Sequence, residues 1–344
     1  MKNYLYILTL LLLVSCKETS SLLTDFPKGN ASITEFSNKI APDNLGLIEG
    51  IHCNESFLVT LDFHNRKSYS LFNLANGFIV KRFGEIGNGH LEIPIGCEGI
   101  IHNGKFVVFD DETRQIASYT LSPDSNLVKC DTIEKYKISQ AQFTKVIPIS
   151  KDKFIGMGTY NDKYQYVIFN DKNNVLDYQH EIFNADDKQF NTYHKFLTNQ
   201  GYMARHPNKP LFVGATRYSS NIDFFKVEGQ KITTINSWNG ENPQYIPQQR
   251  MGISQVVPSD DAINGVISLC ATSNYVFTLY SETSLKKEPH KSKIILVFDW
   301  NGNKLCKIDM KNDIYYIAAN EKDLYTVEKD KDKKYVIKSY HYNI

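Results

Sequence analysis

The residues of this chain best suited to chemistry are a glycine-rich loop, two acidic clusters, nine histidines and a scatter of arginines and tyrosines. Gly84-Glu85-Ile86-Gly87-Asn88-Gly89 has the glycine density of a phosphate cradle. It lacks the Lys-Ser/Thr pair of a P-loop, does not fit the dinucleotide fingerprint and precedes no helical periodicity. Asp110-Asp111-Glu112 and Asp186-Asp187 offer oxygen ligands, but neither alternates them around a glycine with a closing glutamate, as a calcium loop does. A solvated turn suits Asp110-Asp111-Glu112 better than a metal site. No HExxH and no GxSxG occurs, so zinc-protease and hydrolase-elbow readings lack support. Carboxylate pairs for glycoside cleavage are defined by a separation of about 5–9 Å in space, which spacing along the chain does not supply.

His52 and His102 fall at nearly equivalent places in two successive strand patterns. Packing at a strand end is favoured there over a metal or catalytic pair. Cys53, Cys97, Cys130, Cys270 and Cys306 form no CxxC, and each lies in or beside an apolar run. A zinc site is not expected, and free thiols are favoured over one disulfide between Cys270 and Cys306. No catalytic residue, metal or cofactor is assigned.

The elements that hold these residues are strands. Tyr (21) and Phe (20) are abundant and Val and Ile recur in short runs, which favours β structure. Net charge is +1, with Lys and Arg dispersed, which argues against a nucleic-acid partner.

A four-strand pattern with a period of roughly 50 residues repeats along the chain, the signature of a propeller or solenoid. The first unit reads Gly46–Cys53, Phe57–Asp62, Lys67–Leu74 and Phe78–Phe83, and five more follow. Asn76-Gly77, Asn103-Gly104, Asn173-Asn174 and Asn301-Gly302 supply turn chemistry between strands. The sixth unit stops after three strands. Ile33–Phe36, ahead of the first unit, is expected to supply its outermost strand and close the ring. The fold class is therefore all-β, a six-bladed β-propeller over residues 31–344 with four antiparallel strands per blade.

Residues 1–15 read as a signal peptide: Lys2, then an apolar run from Tyr4 to Val14 too short to span a bilayer. Leu13-Val14-Ser15-Cys16 resembles a bacterial lipobox, which implies a lipid on Cys16 as the only modification. Residues 16–30 then form a flexible tether. Lys17 follows Cys16 where an aspartate can retain lipoproteins in the inner membrane, so the outer membrane is favoured, and Glu18 hints at surface display.

Phe83-Gly84, Gly87, Gly89 and Glu92, together with Ile295-Leu296-Val297-Phe298-Asp299-Trp300-Asn301-Gly302, carry a family likeness. The chain resembles the TolB-like six-bladed propeller lipoproteins of Bacteroidetes. The resemblance implies a fold and an envelope address, and no established activity. His90-Leu91 stands where the family often has proline and glycine.

In an up-and-down blade the second-to-third turn and the crossing to the next blade share one face. The long insertions Asn184–Gln200, Asn239–Asn264 and Glu282–Ser292 fall there. Asp186 is expected to cap a short helix carrying Phe190, Tyr193 and Leu197. The candidate binding residues on this face are Arg66, Glu85, Asn88, His90, Arg114, Tyr160, Tyr164, Arg217, Tyr245 and Arg250. Arginine offers a planar donor fork and tyrosine an amphipathic contact area. The expected function is binding or scaffolding by a monomer that engages a protein, peptide or glycan partner. A hydrolase or lyase acting on polysaccharide is the alternative.

Overall fold

The structure, a computed structural model, describes residues 22–27, 31–36, 40, 45–218, 220–240, 242, 244–250, 253–287 and 290–344; of Arg250, Ile253 and Ser254 only the backbone is described. Cys16 lies outside these residues. Among the described residues, no helix is long and apolar enough to cross a membrane.

Six four-stranded antiparallel sheets form the blades of a propeller. Blade one runs Gly50–Cys53, Phe57–His64, Lys67–Asn73 and Ile79–Glu85 from the axis outward. The innermost strands of blades two to six are Gly99–His102, Ala141–Pro148, Gly201–Arg205, Ile263–Ala271 and Tyr316–Ala319. In blade six Ser32–Phe36 pairs with the third strand, with Ile33 opposite Tyr342 and Phe36 opposite Ser339. The ring is thus closed by the strand that the sequence predicts. The join covers the outer edge of Tyr335–Asn343, and Ile33 packs against the core shared by blades five and six.

The core lies between blades, where the second and third strands bury nearly every side chain. Tyr69, Phe83, Phe106 and Tyr119 pack ring against ring at the interface of blades one and two. The glycine-rich stretch serves the crossing between these blades. Gly84 sits at φ +74°, and a Cβ there would lie 2.4 Å from the Tyr69 ring. The loop then folds around Glu92, whose Oε2 accepts the Gly89 N–H at 2.9 Å.

Two expectations are corrected and one element is added. The short helix Thr192–Thr198 is capped by Asn191, whose side chain accepts from the His194 N–H, and not by Asp186. It buries His194, Lys195, Phe196 and Thr198, and it leaves Tyr193 exposed. The insertion before blade five holds a two-stranded hairpin, Tyr245–Arg250 with Ile253–Pro258, which apolar patterning did not reveal. Within the predicted tether, Leu22 is buried and packs with Phe26 into the core shared by blades four and five. All five described cysteines are free, including Cys270 and Cys306.

Candidate functional site

The innermost strands enclose an axial cavity of about 380 Å³. Its mouth is formed by the first turns of the blades, including Asn54, Glu55, Asn208, Asn320 and Glu321. Its inner wall includes Glu98, Lys145 and Tyr202. The mouth therefore opens on the face opposite the insertions.

Lys145 is 7% exposed and lies midway along its strand. A register shift between Phe143 and Lys145 makes Thr144 an extra residue, and its hydroxyl donates to the Met157 carbonyl at 3.2 Å. Such a bulge re-aims the side chain that follows it. A second shift, between Val266 and Ser268, flanks another lining residue. The Lys145 ammonium lies 3.7 Å from Glu98 Oε2. Burial lowers its pKa, and Glu98 partly opposes that shift.

His52 accepts a hydrogen bond from the Gly99 N–H at 3.4 Å. Burial, assisted by the Lys145 charge, holds its pKa down at about 3. Burial, with Arg205 nearby, holds His102 at about 4. Both imidazoles are therefore neutral near pH 7, and both line the cavity. Arg205 donates from Nη1 to the Ile149 carbonyl at 3.1 Å, and its guanidinium lies over the Phe212 ring. Cys53 and Cys270 also line the cavity, and burial raises both thiols well above the ordinary range. They are poor nucleophiles.

On the insertion-bearing face, Arg217 meets His290 Nδ1 at 2.7 Å and covers the Tyr218 ring. Burial disfavours its charge, but Tyr202, Tyr218, Tyr316 and Glu98 more than offset this and raise its pKa. Tyr245 donates to the Thr198 carbonyl at 3.0 Å, fixing the hairpin to the helix end. Its own pKa is raised by burial. Arg217 and Tyr245 are thus brought together.

The other candidates do not join them. Arg66 is exposed and donates to the Ile86 carbonyl at 3.3 Å. Glu85 pairs with Lys67 at 2.6 Å, and Asn88 and His90 are exposed on the same crossing. Arg114 lines a separate cavity of about 270 Å³ beside the helix. Tyr160 and Tyr164 flank Tyr178, with ring centroids at 5.3 and 4.4 Å. Arg250 ends a hairpin strand, and its side chain lies outside the described residues. Asp110 accepts from Thr113 Oγ1 at 2.7 Å and from the Glu112 N–H at 3.0 Å, the chemistry of a turn.

Sequence reasoning singled out His52 and His102 but missed Lys145, Glu98 and Arg205. The available signal was a lysine inside an apolar strand, Gln142-Phe143-Thr144-Lys145-Val146-Ile147, at the position that faces the axis.

A Bacteroides fragilis protein described as exported superimposes with a TM-score of 0.58 at 12% identity, over 93% of this chain and 96% of that one. Raptor from Chaetomium thermophilum gives 0.48 at 10% identity, over 91% of this chain and 28% of that one. A Xanthomonas campestris gluconolactonase gives 0.48 at 8% identity, over 92% and 91%. Only the first bears on the fold, and none bears on activity. No curated protein matches the sequence significantly. The profile of the TolB-like 6-blade propeller-like family matches residues 50–322, the larger part of the chain, and the chain belongs to that family.

Proposed function

We propose that this propeller is a binding module of a bacterial envelope, held by lipid on Cys16 and engaging a protein partner through its insertion-bearing face. One observation carries the reading. Four of the eight exposed large apolar side chains among the described residues, Leu47, Ile95, Tyr193 and Ile246, sit on blade-to-blade crossings or insertions of that face. Two of them, Tyr193 and Ile246, stand on the long insertions, and exposed apolar side chains on such insertions suit an interaction surface. The helix and hairpin that present Tyr193 and Ile246 are held in place by the Tyr245–Thr198 hydrogen bond, so little ordering is required on binding.

Apolar anchors and tyrosine favour a protein or peptide over a glycan. The outer membrane is the proposed address, since Lys17 follows Cys16. Two experiments test the reading. Replacing Tyr193 and Ile246 by aspartate is expected to abolish partner capture from native envelope without changing the melting temperature. Cys16→Ala is expected to move the protein from the membrane to the soluble fraction; unchanged fractionation refutes the anchor. The alternative polysaccharide hydrolase would show turnover in a polysaccharide panel.

A further inference from the structure

We propose that the axial cavity is a second, independent binding site that takes a small oxyanion, a carboxylate or phosphate group on a polar molecule of about monosaccharide size. The cavity falls within the range of small-ligand pockets, roughly 300–1,000 Å³. It opens on the face opposite the proposed partner surface, so it needs its own explanation.

The charges inside it are unequal in what they have left to give. Lys145 is nine-tenths buried, and its one ion-pair partner among the described residues is Glu98, at the long distance of 3.7 Å. An ammonium has three donors, so most of its capacity is unused. Arg205 adds positive charge to the wall, with Nη1 spent on backbone carbonyls and Nε sealed from solvent. Two of the three acids in the lining are already engaged. Both oxygens of Glu321 accept from Ser273, its N–H at 2.7 Å and its hydroxyl at 2.6 Å. Glu55 Oε1 accepts the Glu321 N–H at 2.9 Å.

The cavity thus offers Lys145 as a cation with spare donors beside the charge of Arg205, while Glu55 and Glu321 are engaged at the mouth and Glu98 is the one acid that competes for Lys145. The neutral imidazoles of His52 and His102 and the Asn54, Asn208 and Asn320 carboxamides lie along the wall and mouth and suit hydroxyl groups. The bulge beside Lys145 is the local irregularity that turns this side chain inward.

Calorimetric titration of the whole chain with sodium glucuronate, inorganic phosphate and glucose tests the site at constant ionic strength. At least one anion should bind and glucose should not; the two anions tell a carboxylate site from a phosphate site. Lys145→Met should weaken anion binding by about tenfold or more, the order of a charge-assisted contact. Glu98→Gln frees Lys145 from its competing acid and should tighten binding, an outcome that a purely structural role would not produce. Circular dichroism confirms folding of each variant. Absence of binding by both anions, equal binding of glucose, or affinities unchanged in both variants would overturn the proposal.

Discussion

The Tyr69 hydroxyl donates to the Cys97 carbonyl at 2.7 Å and accepts from the Cys97 N–H at 3.0 Å. One phenol on blade one therefore satisfies both main-chain groups of a residue in the crossing to blade two. Tyr69 is otherwise buried among Phe83, Phe106 and Tyr119. Tyr69→Phe keeps the ring and strands two backbone groups, so it should cost about 2 kcal/mol in denaturant unfolding. Leaving stability unchanged would mean that water replaces the phenol.

The closing strand carries a larger share. Deleting Ser32–Phe36 exposes the edge of Tyr335–Asn343, uncovers apolar surface behind Ile33 and removes the Lys338–Glu35 pair at 3.1 Å. The melting temperature should fall sharply, and the protein should associate through the open edge. Calorimetry and light scattering read the two effects.

Acid should weaken the fold through the axial histidines. Their folded pKa values, about 3 for His52 and about 4 for His102, lie below the ordinary 6.5. The unfolded chain thus binds more protons between these values, and stability falls as pH drops from about 6.5 toward 4. It is fully present above 6.5. His52→Gln should flatten part of that slope in urea unfolding at pH 7, 6, 5 and 4.

The predicted tether is shorter than its composition suggests. Leu22 is buried, Phe26 meets Phe298 edge-on at 5.3 Å, and Lys304 donates to the Thr24 carbonyl at 2.6 Å. Replacing Leu22 and Phe26 by serine should release the segment, seen as faster limited proteolysis between residues 22 and 31 with the blades left intact.

The blades were legible because each repeats the same alternation of apolar runs and turn residues, and because Ile33–Phe36 was the one unspent strand able to complete the sixth. The axial site was not. A register shift at Thr144 leaves no mark in the residue pattern of the strand Ala141–Pro148. Asp186 and Asn191 are both competent caps, and only Asn191 lies three residues before a helical N–H. The hairpin Tyr245–Pro258 carries two prolines, and its first strand exposes four successive side chains, Ile246 to Gln249, so it lacks the half-buried alternation by which strands are read.

Site-specific photo-crosslinking in native envelope tests the central claim most directly. A crosslinking residue placed at Tyr193 or Ile246 on the insertion-bearing face is compared with one at Phe78 or Leu127, exposed apolar positions in the opposite turns. One discrete protein adduct is expected from positions 193 and 246, lost when the other position of the pair is changed to aspartate, and none from 78 and 127. Adducts from Phe78 and Leu127 alone, or none from any position, would contradict it.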